Sequence, residues 1–258
     1  MWDTIIVNPM INILLLIYNF VSDFGIAIIL FTILIRLVTH PLMAKQIKGA
    51  AAMQEFQNSD KWKAVQKKYK DDKEKLAQEQ MALYKELGIS PFDSCLPMLI
   101  QLPVIFGLYQ ALIKALAVTP LNLLNLSTRI YPWINGSDLI PLDSTFLWMN
   151  LSQPERLNIF GFGVPILTIL VVITTFLQQK MMTPANPNAS PTDQSAQMSK
   201  MMNIYMPLFM GYIALTLASG LAIYFVVSNL VGIGQYAALG KLNWRNIIPS
   251  FGTNKSKK

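Results

Sequence analysis

One arginine constrains this chain more than any other residue. The run from Phe24 to Leu42 is apolar enough to help cross a bilayer, yet Arg36 stands well inside it. The next cation, Lys45, comes nine residues later, or about 13 Å of helix rise. A side chain can snorkel over part of that distance. A charge at such depth costs several kcal/mol against lipid and usually faces a bundle interior or a wet cavity. Two readings follow: an arginine snorkelling from a frayed helix end, or an arginine enclosed by further helices that give it a polar place.

The rest of the chain supplies those helices. Hydrophobic residues make up 53% of its 258 residues and charged residues 14%, far below the charge of a soluble domain, so an integral membrane protein is expected. The net charge of +7 then bears on orientation more than on nucleic acid. With one cysteine, Cys95, and one histidine, His40, no internal disulfide and no Cys/His zinc site are expected. The N-terminus has no basic stretch followed by a cleavage site, so no removable signal is expected.

Residues 1–21 are apolar but carry Pro9 and three asparagines, which suits a helix lying at the interface. Ser22-Asp23 offers a cap for a first span over 22–44. Residues 45–93 hold ten lysines and eight acids and are therefore aqueous. There Trp62, Val65, Tyr69, Leu76, Leu83 and Leu87 form one helical seam. A shorter helix precedes it, Asn58-Ser59-Asp60 turns the chain with Asp60 as the cap, and Gly88 ends the second helix. A helical hairpin with a solvated lysine face is expected. Span two covers 94–117 and is interrupted by Pro97 and Pro103, with Gln101 between them. Residues 118–158 form a turn-rich loop whose Trp133 and Trp148 suit an interfacial belt. Span three covers 159–179, followed by a methionine-rich loop over 180–202. The 40 uncharged residues between Lys200 and Lys241 measure about 60 Å as helix, enough for two crossings. Ser219-Gly220 divides them into spans 203–218 and 219–240, ahead of a basic tail over 241–258. The fold class is thus all-α: five transmembrane helices, an N-terminal interfacial helix and a cytoplasmic hairpin. Lysine and arginine place the N-terminus outside and the C-terminus inside.

Polar company for Arg36 is available from Gln101, Thr174, Thr175, Gln178, Asn203, Ser228, Asn229 and Gln235. Any one of these could serve only to bind helices together. None of the last four spans carries an acid in its apolar stretch, so hydration of Arg36 is expected to come from water in a groove. No nucleophile–base pair, phosphate-cradling loop or buried carboxylate pair is present, which makes an enzyme the weakest class. No cofactor or metal is expected. A small solute or ion transporter is the alternative, and it would ordinarily need an intramembrane acid. A purely structural assembly factor would keep the hairpin but would not need Arg36.

Six stretches carry a family resemblance: Thr32 to Leu42, Gln66 to Lys70, Met81 to Gly88, Cys95 to Tyr109, Thr174 to Met182 and Ser219 to Asn229. In this order the chain resembles the YidC/Oxa/Alb membrane protein insertases over essentially its whole length, in their short bacterial form. The resemblance implies a cofactor-free insertase of a bacterial plasma membrane. It implies that Arg36 sits in a hydrophilic groove open to cytoplasm and lipid but closed outward, with Gln101 facing it; Thr175, Ser228 and Asn229 complete the expected lining. It implies that the hairpin, about 42–87, recruits newly made membrane proteins. The Sec translocon, the signal recognition particle and the ribosome are further candidate partners, the last weakened by the short tail. Phe225 and Ala218 depart from the tryptophan and proline often found there, which bears on how the last two helices pack. No large extracytoplasmic domain and no lipoprotein-type cysteine are expected.

Overall fold

Proline sets where several helices of this chain begin. In the computed structural model, residues 1–69, 72–88, 96–116, 119–134, 142–159, 162–182, 194–240 and 242 are described. Helix α1 runs over Asp3–Val21 and is not broken at Pro9. Its first turn, Asp3–Val7, is a wider π-turn, and Asn8 N–H bonds back to the Asp3 carbonyl. The wider turn accommodates a residue that has no N–H to give. Helix α2 covers Phe24–Val38, opened by Asp23 Oδ1 accepting the Ile26 N–H at 2.9 Å. The expected first span does not continue unbroken to residue 44: Pro41 stops it, and α3 (His40–Asn58) starts afresh with that proline in its first turn.

Helices α4 (Asp60–Lys68) and α5 (Lys73–Glu86) follow. The expected second hairpin helix is therefore two helices, because Asp72 caps α5 by accepting the Lys75 N–H. Ser59, not Asp60, caps α4, accepting the Trp62 N–H at 3.2 Å. Gly88 sits at φ +63° beyond α5, the left-handed position that glycine adopts without strain.

Helix α6 covers Leu96–Ala115 and passes through Pro103. Helix α7 (Pro120–Ser127) is capped by Thr119. Two hairpins come next: β1 (Thr145–Phe146) with β2 (Met149–Asn150), and β3 (Leu157–Ile159) with β4 (Phe162–Val164), both antiparallel. The first residues of the expected third span are thus strand, and Pro165 delays α8 to Ile166–Met182. Helix α9 (Gln194–Thr216) contains Pro207, and α10 covers Ser219–Ala238. Cys95, the side chains of Met198, Met201, Met202 and Asn203, the chain between Met182 and Gln194 and nearly all of the tail lie outside the described residues.

The fold is mostly helical. By length and composition α1 and α10 are each able to cross a membrane; Phe24–Val38 with His40–Gly49 makes a third if they form one bent span. Ile166–Met182 and Ile204–Thr216 are apolar but shorter. The chain forms two compact units, with Pro103 at one boundary. The first contains α1, α2, the rest of α6, α7, both hairpins and α8 to α10. The second contains α3 to α5 and the first turns of α6.

The core of the first unit is built on Ile11, Leu14, Leu15, Phe24, Ile28, Phe31, Leu108, Leu112, Leu221 and Tyr224, all fully buried. One end is closed by backbone. Ser219 N–H donates to the Gln153 carbonyl at 2.8 Å and Gly220 N–H to the Leu151 carbonyl at 3.1 Å. Glu155, buried, accepts the Leu167 N–H in the first turn of α8 and the Trp148 indole N–H, each at 3.0 Å. The orphan donors of two helices are satisfied by this one loop. At the same end Gly220 lies against Ile28 of α2 and Leu112 of α6.

Helix α1 is fastened there too. Asp3 takes two 2.9 Å bonds from Lys114 and one of 3.0 Å from Arg129, while buried Asn12 donates to the Arg129 carbonyl and accepts the Tyr131 N–H. The second unit has a smaller core, one ring from each helix: Phe56, Trp62 and Tyr84. Phe56 stands 5.4 Å from Trp62 and 4.9 Å from Tyr84, centroid to centroid. Of the expected seam, Val65, Leu76 and Leu83 pack on those rings, whereas Leu87 is exposed. Burial raises the Tyr84 hydroxyl above its ordinary range, and the hydrogen bond from Gln80 opposes it.

Candidate functional site

Arg36 lies in the last turn of α2 and is 8% exposed. Side chains on a helix lean toward its N-terminus, and this one does. Its Nε donates to Ser228 Oγ at 2.8 Å, and Nη2 donates to the same oxygen. Ser228 is the tenth of the twenty residues of α10. The guanidinium therefore sits at the middle of that helix instead of snorkelling toward its end. The backbone of Arg36 is lower: its carbonyl accepts from Gln235 Nε2 at 2.8 Å, seven residues along α10. Of the two readings of Arg36, the enclosed one is observed.

Ser228 has a polar neighbour on its own helix. Asn229 Nδ2 donates to Thr174 Oγ1 at 3.1 Å and to Thr175 Oγ1 at 2.9 Å, joining α10 to α8. Thr174 in turn donates to the Leu170 carbonyl. Gly232, one turn below Ser228, lets the Gln178 side chain approach α10; a Cβ there would stand 2.5 Å from Gln178 Nε2. Arg36, Ser228, Asn229, Thr174, Thr175 and Gln235 are all buried, so α2, α8 and α10 share a polar layer within an otherwise apolar bundle. The arrangement can hold positive charge and hydrogen-bonding capacity at depth.

Of the residues expected at the site, Arg36, Ser228, Asn229 and Thr175 are brought together on these three helices. Gln101 belongs to the second unit and is half-buried there. A residue that hydropathy and charge do not single out is Tyr224, fully buried four residues before Ser228 on the same face of α10. Its four-residue spacing from Ser228 was the available signal. Among the described residues no cluster of metal-ligating side chains occurs.

Fold and site together define a polytopic helical membrane protein with a buried arginine held between helices. More particularly, the chain belongs to the 60Kd inner membrane protein family, that of the YidC/Oxa1 proteins, whose model matches residues 16–244. It is 34% identical over 241 residues to a membrane protein insertase YidC of Syntrophobacter fumaroxidans, covering 91% of this chain but only 37% of that one. It is 33% identical to the YidC of Oceanobacillus iheyensis, covering 93% of this chain and 84% of the relative. The membrane protein insertase MisCA of Bacillus subtilis is also 33% identical, over 91% and 77% of the two chains. A crystal structure of an active YidC insertase matches with a TM-score of 0.56 at 22% identity, over 92% of this chain and 46% of the other, and supports the fold.

Proposed function

We propose that this protein is a membrane protein insertase that moves short hydrophilic segments of its substrates across the bilayer and releases their helices into lipid. The observation that carries the reading is the depth of Arg36: its guanidinium is held on Ser228 at the midpoint of α10. A passenger with a polar end must take that end through a slab about 30 Å thick, each polar group costing several kcal/mol. A polar layer half-way shortens the apolar distance, and a fixed positive charge attracts acidic residues of the passenger. The substrate's own apolar helix then partitions into lipid. Arg36, Thr175, Ser228 and Asn229 line the proposed groove, which opens to the cytoplasm; the family resemblance adds Gln101. No cofactor takes part.

The same reading sets the topology. Five helices, α2, α6, α8, α9 and α10, cross the membrane, with the N-terminus outside and the basic C-terminus in the cytoplasm of a bacterial cell. Helix α1 is apolar enough to cross, but both of its ends are tied at one end of the first unit. Only Ser22 and Asp23 separate Val21 from the start of α2, and Asp3 pairs with Lys114 in the last turn of α6. That supports a helix lying along the outer interface. Newly made membrane proteins and lipid are the partners, with the Sec translocon, signal recognition particle or ribosome delivering the substrate.

The test is reconstitution. Purified protein in liposomes should insert a single-span substrate with a short acidic tail, and Arg36→Ala should reduce this at least about tenfold, as expected for a charge removed from a buried partner site. A neutral tail should be much less affected. Equal insertion of both tails by the alanine variant would overturn the role of Arg36, and no insertion by the unaltered protein would overturn the function.

A further inference from the structure

Resting on that reading, we infer that Gln235 is a positioning residue for Arg36. Helix α2 ends at Val38, so the Arg36 carbonyl lies in its last turn. The Gln235 amide reaches this carbonyl at 2.8 Å from α10 and is itself only 8% exposed. A carbonyl can only accept, so the amide must donate. Seven residues outward, Ser228 takes the other end of the same arginine. Residues seven apart lie on one helix face about 10.5 Å from each other. Helix α10 thus grips Arg36 at both ends of its length, the backbone by Gln235 and the guanidinium by Ser228.

The two grips do different work. Ser228 stabilises the charge, while Gln235 fixes the height from which the side chain starts. The end of α10 is only three residues below Gln235, at Ala238. If the last turn of α2 were free to unwind, the side chain could start lower and reach the nearby boundary. Packing alone does not account for an amide here, since a buried polar group costs free energy that an apolar side chain of similar volume would not. Gln235 therefore sets how deep the positive charge stands, and with it the preference for acidic tails.

The experiment compares the unaltered chain, Arg36→Ala, Gln235→Met and Gln235→Asn in liposomes, each with acidic-tailed and neutral-tailed substrates. Methionine keeps the volume and removes the donor; asparagine keeps the amide but falls one carbon short. Both Gln235 variants should lose acidic-tail insertion about 3- to 10-fold, the change one hydrogen bond carries, with neutral-tail insertion within about twofold. Thermal midpoints in detergent check that each variant folds, and the asparagine variant carries the test if methionine does not. Equal losses on both substrates would make Gln235 a structural residue and overturn the inference, as would no loss on either. If Arg36→Ala itself fails to distinguish the two tails, the insertase reading of Arg36 fails first. If Arg36→Ala distinguishes them and the Gln235 variants do not, only the positioning role is lost.

Discussion

Both units have apolar cores, but the buried side chains that tie their helices together differ in kind. In the first, the side chains that tie α2, α8 and α10 together are polar: Arg36 to Ser228, Gln235 to Arg36 and Asn229 to the paired threonines. In the second, the tie between α3, α4 and α5 is three aromatic rings, while the ion pair Lys61–Glu86 at 3.3 Å is exposed on both sides. On the proposed topology, the first unit meets lipid and the second water, and the difference follows from that. Lipid gives apolar helices no reason to associate, so packing and interhelical hydrogen bonds must hold them. Water expels rings, and each aromatic pair adds about 0.5–1.5 kcal/mol beyond its burial. A mutation that deletes apolar volume should therefore hurt most in the second unit, and one that deletes a polar partner should hurt most in the first.

The largest effect is expected from Trp62→Ala. Trp62 is 3% exposed and touches Phe56, so truncation removes most of a very small core. A cost of about 3–5 kcal/mol is expected for such a change, on a unit with little stability to spare. Hydrogen exchange on the full chain in nanodiscs should show amides of α4 and α5 losing protection while those of α10 keep theirs. Loss of protection in α10 as well would show that the two units unfold together, and the comparison would break.

The aromatic core was only partly legible in the sequence, and the reason is periodicity. Trp62, Val65, Leu76 and Leu83 fall on a seven-residue seam, but Tyr84 is one residue off it and Leu87 is on it and exposed. A straight seam runs through Tyr69 to Asp72, where the chain stops one helix and starts another. That break shifts the phase of everything after it. Proline misled in both directions. Pro9 looked like a break and is absorbed by a π-turn, while Pro41 and Pro165 shorten helices that hydropathy alone runs on. The site was more legible than the fold. A charge at depth needs polar neighbours, and few residues of the charge-free helices can supply them, so Ser228, Asn229 and Thr175 could be named. Which end of Arg36 each neighbour takes depends on the direction of its side chain, and sequence spacing does not carry that.

A middle effect is expected from Ser228→Ala, and it sharpens the polar side of the comparison. The serine oxygen accepts twice from one guanidinium in a buried setting. Hydrogen bonds to charged groups are worth about 1.5–3 kcal/mol, and those between membrane helices average nearer 0.6. A cost of about 1–2 kcal/mol is expected, read as a lower unfolding midpoint in detergent by near-ultraviolet circular dichroism. The alanine removes almost no volume, so a cost of this size can only come from the lost partner. A midpoint unchanged from the parent would mean that the polar layer does not hold the helices together, and packing would have to do so in both units.

The smallest effect is expected from Ser59→Ala, which asks whether a polar group matters at all in the second unit. Ser59 closes α3 and opens α4: its hydroxyl donates to the Phe56 carbonyl at 2.6 Å and accepts the Trp62 N–H at 3.2 Å. It thus joins the backbones of two of the three ring residues, without itself being part of their core. An N-cap hydroxyl is worth about 1 kcal/mol because it satisfies a helix donor that water serves less well. At this half-buried turn water can partly take the serine's place, so the expected cost is about 0.5–1 kcal/mol, seen as a small loss of exchange protection over the first turn of α4. The rings should stay together, since their contacts do not pass through the hydroxyl. A loss as large as that of Trp62→Ala would mean that the turn, and not the rings, holds the hairpin, and the contrast between a polar unit and an aromatic one would no longer describe this chain.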